Sequence, residues 1–206
     1  MNTPQPFSLP GLRVLMADAG QRRSPVIRLE LIRLRCQLVD VIDLVAQPGA
    51  LPTALDRLAP ELLLIDCEQP TPELLAQLGE SLQRQPRPVL LFAEQMTAEQ
   101  MRAALAAGIS TLQLAGLPPQ RLGALLQLAL ARFEHDQTLQ RDLRQTQTQL
   151  AERKLVERAR GILMREQGLD EEAAFQRLRQ LAMDGGQTLA SVAMRLIDAD
   201  QLLRTR

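Results

Sequence analysis

The sequence predicts a doubly wound α/β domain, then a long helix, then a small helical bundle. Three observations lead there. Short apolar runs alternate five times with helical patterns over residues 12–133. Two of those runs end on a carboxylate, at Asp18 and Asp66. From residue 134 the chain stays helical but turns polar, and it closes with three amphipathic segments separated by Gly168 and by Gly185-Gly186.

The elements follow in order. Residues 1–11, rich in Pro, Gly and polar groups, read as a flexible tail. Residues 12–17 (LRVLMA) form the first strand candidate and residues 25–34 the first helix. Residues 38–42 are the second strand, with a helix near 51–58. The run 62–65 (LLLI) has no polar alternation, as in a strand covered on both faces of a parallel sheet. Residues 71–82 are helical, 89–92 form the fourth strand, and 98–107 the fourth helix, closed by Gly108. Residues 112–114 make a short fifth strand, and Pro119 suits the first turn of the helix that follows.

Composition excludes several functions. Four Phe and no Trp or Tyr leave no aromatic platform on which bases could stack. Net charge is zero, so nucleic-acid binding requires a local basic face. Cys36 and Cys67 lack metal-ligand spacing and read as reduced buried thiols. The lone histidine, His135, lies in the polar helix with no nucleophile or acid pair around it, so no enzyme, cofactor or metal is expected. No apolar run has membrane-spanning length and no secretory signal opens the chain, so the expectation is a cytoplasmic protein with no membrane partner.

In residues 134–151 apolar or short side chains recur at Leu139, Leu143, Thr146 and Leu150, in steps of four, three and four. That is a heptad seam about two heptads long. A polar helix of this kind buries little alone, so we expect a homodimer through this coiled coil. The alternative is a solvated single helix between two domains.

Residues 152–206 read as a three-helix bundle. Leu155, Val156, Ala159, Ile162 and Leu163 form the apolar face of its first helix, with basic residues off that face. Asp170 is placed to cap the second helix and Thr188 the third. The motifs ARGILM (159–164), GLDEEA (168–173), L-R-x-L-A-M (178–183) and L-A-x-V-A (189–193) occur in an order and spacing that resembles the ANTAR family. LLLIDCEQPT (62–71) and QLAERKLVERARGILM (149–164) further resemble the nitrate-assimilation regulators within that family.

The resemblance implies an RNA-binding transcription antiterminator. Such a protein binds two adjacent hairpins of an mRNA leader, one head per loop, and is controlled by a cytoplasmic nitrate/nitrite sensor protein. The candidate RNA contacts are Lys154, Arg158, Arg160, Arg165 and Arg179, with Gly161 as a position of close backbone approach. Ala182, Met183, Leu189 and Ala193 match the motif but are expected in the core.

The first domain resembles the receiver domain of response regulators. That family holds a divalent metal between two acids after the first strand and a phosphoacceptor Asp after the third. A hydroxyl and a Lys complete the switch. Here only Asp18 and Asp66 remain, with Glu68 nearby; the other positions hold Ala19, Ala93 and Ala115, followed by Gly116. We expect a pseudo-receiver with a vestigial pocket. The competing readings are a DNA-binding response regulator switched by phosphorylation of Asp66, and a protein-only signalling scaffold. The third helix of the head offers only Gln187, Ser191 and Arg195 as groove readers, which is thin for a major groove.

Overall fold

The computed structural model describes residues 9–20, 23–114 and 119–204. The chain divides into two compact units, Met1–Gln137 and Thr138–Arg206. The first 8 residues of the sequence-predicted tail lie outside the described residues.

The first unit is a parallel five-stranded sheet in the order β2-β1-β3-β4-β5. Its strands are β1 (Arg13–Asp18), β2 (Gln37–Asp43), β3 (Leu62–Cys67), β4 (Val89–Ala93) and β5 (Thr111–Leu114). Helices α1 (Ser24–Arg33), α2 (Ala50–Leu58), α3 (Pro72–Arg84) and α4 (Ala98–Ala106) connect them. Every residue of β3 and β4 is buried, as the unbroken apolar runs require of central strands. Successive β3 side chains feed different cores. Leu63 and Ile65 pack with Leu51, Leu55, Leu75 and Leu78. Leu62 and Leu64 pack with Ile27, Leu31, Leu122 and Leu126.

Local chemistry sets the helix ends. Thr71 caps α3, its hydroxyl accepting from Leu74 N at 3.2 Å, and Pro72 occupies the first turn. Thr97 and Gln100 form a reciprocal capping box on α4. Gly108, at φ 93°, supplies the left-handed turn after α4. At the far end of the sheet, Arg13 donates to Leu58 O at 2.6 Å and Ala59 O at 3.2 Å, satisfying carbonyls that α2 leaves open at its C-terminus.

After a single 3-10 turn (Pro119–Arg121), α5 runs unbroken from Leu122 to Gln167 and supplies residues to both units. In the second unit its last turns pack with α6 (Glu171–Asp184) and α7 (Leu189–Arg204). The core is Ala159, Ile162, Leu163, Ala174, Leu178, Ala193 and Ile197. Asp170 caps α6, accepting from Ala173 N at 2.8 Å, with Glu171 and Glu172 in the first turn. Thr188 caps α7 through Ser191 N at 3.2 Å.

Two expectations need correction. Met183 is not core: it is 66% exposed, whereas Ala182 beside it and Ala193 are buried. Ala182 and Met183 point about 100° apart around α6, and it is Ala182 that turns to the bundle. Cys36 is only partly buried, though it and Cys67 are both free thiols. Asp66, in β3, is 2% exposed.

Candidate functional site: the acid pocket and the cationic helix face

Parallel pairing places Asp18 opposite Asp66 and Cys67 opposite Ala93, so the two carboxylates share the carboxyl edge of the sheet. This edge, where strand order reverses, is where open α/β sheets bind ligands. A cavity of about 220 Å³ opens there, lined by Ala19, Gly20, Arg23, Asp66, Cys67, Glu68 and Glu94.

A cation already stands among these acids. Arg23 Nε donates to Asp66 Oδ1 at 2.8 Å, and Nη2 lies 2.7 Å from the same oxygen. Nη2 also donates to Cys67 O at 3.0 Å, and Nη1 pairs with Glu94 Oε1 at 3.0 Å. Asp18 accepts from Gly20 N at 2.9 Å. Burial pushes the Asp66 carboxyl above its ordinary value; the Arg23 hydrogen bond and charge pull it down, and Asp18 and Glu94 push it up. Burial also raises the neighbouring Cys67 thiol to about 12, so it is protonated and unreactive at neutral pH.

The residues do not fit a divalent metal. A hard cation needs about six oxygens at roughly 2.0–2.6 Å, and a guanidinium is bonded to Asp66 Oδ1. Ala93 supplies no hydroxyl at the end of β4. Among the described residues no group of three or more His, Cys, Asp or Glu is arranged to hold a metal ion. Ala115 and Gly116 lie outside the described residues.

Sequence reading missed Arg23 and Glu94. Both stand in connecting loops, 43 residues from Asp66 in the case of Arg23. The available signal was the basic pair Arg22-Arg23 immediately after an acid-ended strand.

In the second unit, Lys154, Arg158, Gly161 and Arg165 follow one another along α5 in steps of four, three and four. That spacing sets them on one face of the helix, displaced from the apolar face that carries Ala159 and Ile162. Lys154 and Arg158 are exposed and form no ion pair among the described residues. Between Arg158 and Arg165, Gly161 is exposed, and a Cβ built there meets nothing within 4 Å. Packing inside the unit therefore does not require this glycine.

The other candidates are placed differently. Arg160 pairs with Glu171 at 2.8 Å and so ties α5 to the start of α6. Arg165 pairs with Asp200 at 2.8 Å, tying α5 to α7, and with Glu166 at 2.8 Å. Arg179 is exposed on α6, away from the α5 row in sequence and on a separate helix. In the α7 segment, Arg195 donates to Gln187 at 3.0 Å. The heptad positions Leu139, Leu143 and Leu150 are 53%, 58% and 54% exposed, and Thr146 turns its hydroxyl back to Asp142 O at 2.9 Å.

Comparison with known proteins separates the two units. Residues 144–197 match the model of the ANTAR domain. Over 80 residues, 39% of this chain, the sequence is 39% identical to the nitrate regulatory protein of Klebsiella oxytoca; that stretch spans only 20% of the relative's length. Over 190 residues it is 25% identical to the transcriptional regulatory protein PdtaR of Mycobacterium tuberculosis, covering 86% of this chain and 90% of that one. The sheet unit has the receiver fold. It superposes on a CheY-like response regulator receiver domain protein from Methanospirillum hungatei JF-1, with TM-score 0.52 and 16% identity over 61% of this chain and 98% of that one. The signal receiver domain of a modulated diguanylate cyclase from Desulfovibrio desulfuricans G20 gives TM-score 0.51 and 13% identity, covering 60% and 97%.

Proposed function

We propose that this chain, which carries an ANTAR domain at residues 144–197 behind a receiver-like unit, is an RNA-binding transcription antiterminator. The observation that carries the reading is the α5 face within the matched segment: Lys154 and Arg158, exposed and without an ion pair among the described residues, beside the bare backbone of Gly161. Lysine and arginine at that spacing meet successive phosphates, and a glycine lets a sugar or base approach the helix. Looped RNA offers such a target, because its bases are splayed and its phosphates turn tightly. Arg160, Arg165 and Arg179 complete the proposed contact set. The ion pairs of Arg160 and Arg165 are surface pairs, worth about 0–1 kcal/mol each, so phosphate competes with their carboxylate partners.

Two heads on a paired stalk would grip two adjacent hairpins of a leader transcript and keep a terminator from forming. The likeness to the Klebsiella oxytoca nitrate regulatory protein supports nitrate or nitrite assimilation genes as the target and a sensor protein as the controlling partner. Among the described residues no helix is long and apolar enough to cross a membrane, in keeping with a cytoplasmic site of action. The proposal divides the chain into a receiver-like domain at 12–133, a linker at 134–151 and a head at 152–206. Duplex DNA is disfavoured as a target because the stretch 187–197 offers a major groove only Gln187, Ser191 and Arg195 as polar readers.

Gel shifts with a two-hairpin leader transcript and with duplex DNA of the same sequence test the reading directly. Retarded RNA with free DNA is the expected outcome; the reverse defeats it. The stalk has its own test. Leu139→Glu with Leu143→Glu yields monomers by light scattering and lowers affinity for the two-hairpin transcript by about 100-fold, the loss expected when two linked sites become one. Single-hairpin affinity stays unchanged. A variant that remains dimeric places the contact elsewhere.

Gly161→Ala separates contact from packing. The added methyl has open space and alanine favours a helix over glycine by about 1 kcal/mol, so the variant is more stable to denaturant. Its RNA affinity falls, because the methyl intrudes where RNA approaches. A variant that gains stability and keeps full affinity removes Gly161 from the contact set.

A further inference from the structure

The receiver unit keeps a cation between its acids, but that cation belongs to the chain. The Arg23 side chain is 18% exposed and that of Asp66 3%, so the pair lies largely out of water, with the outer end of the guanidinium reaching the half-exposed Glu94. Three segments meet on this one group: the residue ahead of α1, the end of β3 through Asp66 and Cys67 O, and Glu94 just after β4. We propose that Arg23 is a built-in counter-ion that takes the place of a diffusible metal, closes Asp66 to phosphorylation, and clasps these segments in one arrangement.

The physical case has three parts. A guanidinium held 2.7 Å from Asp66 Oδ1 engages the lone pairs with which that oxygen would bind a metal or attack a phosphoryl donor. Arg23 also provides the charge compensation that a carboxylate as buried as Asp66 requires. And Ala19 and Ala93, which stand where the receiver family carries an acid and a hydroxyl, bring no side-chain oxygen, while Glu94 is already paired with Arg23. The pocket therefore holds one electrostatic state whatever the magnesium concentration. A signal to the RNA-binding head enters through a docked partner rather than through an aspartyl phosphate.

The test uses the full chain and needs no RNA, so it stands or falls apart from the antiterminator reading. In thermal melts, Mg²⁺ alone and Mg²⁺ with beryllofluoride, a mimic of an acyl phosphate, leave the wild-type Tm unchanged, and acetyl phosphate does not label Asp66. A rise of several degrees with either addition, or labelling at Asp66, overturns the proposal. Arg23→Met lowers Tm by about 5 °C or more, since it strands a buried carboxylate, and Arg23→Met with Asp66→Asn recovers most of that loss. A single variant as stable as wild type overturns the clasp. Should Arg23→Met not fold alone, folding of the double variant supports the clasp and the wild-type melts still decide the metal question.

Discussion

Replacing both Lys154 and Arg158 with alanine weakens binding to a two-hairpin leader transcript by about 10- to 100-fold at moderate salt, with no loss of fold. Both side chains are exposed and outside the bundle core, so their removal costs the head little stability. Each phosphate contact releases condensed counterions, and losing one reduces the slope of log affinity against log salt by roughly 0.7 for single-stranded RNA. The double variant therefore shows a slope shallower by about 1.4, which a merely misfolded protein would not. Gel shifts at several salt concentrations read both quantities. Unchanged affinity and slope would move the interface off this helix face. Arg153→Ala is the internal comparison: Arg153 is exposed but already paired with Glu157 at 3.0 Å one turn away, and its loss has a smaller effect.

Leu178→Ala unfolds the head while leaving the receiver-like unit intact. Leu178 is fully buried at the centre of the seven-residue core of the second unit. Truncating such a leucine costs about 2–5 kcal/mol, and a unit of the size of Thr138–Arg206 has only about 5 kcal/mol in total. Denaturant unfolding followed by circular dichroism then shows an early transition for the head and a later one for the sheet unit. Met183→Ala, five positions further along the same helix, changes stability by about 0.5 kcal/mol or less because the side chain is 66% exposed. Equal losses from the two variants would contradict the observed facing of α6. The proposed pairing of the stalk would add a concentration-dependent increment to both, so the two variants are compared at one protein concentration.

The sheet unit was legible because its signals are local. An uninterrupted run as short as 62–65 fits a strand buried on both faces in a parallel sheet, and its termination at Asp66 marks the carboxyl edge. The caps at Asp170 and Thr188 were readable for the same reason: a short side chain bonds a backbone amide three residues on. The ANTAR motifs pointed to the segment that the family model matches. Harder was the division of the cations in the head. Composition and periodicity treat Arg158 and Arg160 alike, yet among the described residues Arg158 has no ion pair and Arg160 is bound to Glu171 across a helix junction.

The chain alone thus decided strand and helix order, the shared edge for Asp18 and Asp66, and the row from Lys154 to Arg165, since each depends on spacings within a few residues. Tertiary structure decided which charges find partners: Arg23 with Asp66 and Glu94, Arg160 with Glu171, Arg165 with Asp200. It also decided that Met183 points to solvent. The reason is reach. A long cationic side chain can meet any acid that non-local packing brings within several ångströms, and no periodicity in the sequence encodes which one arrives.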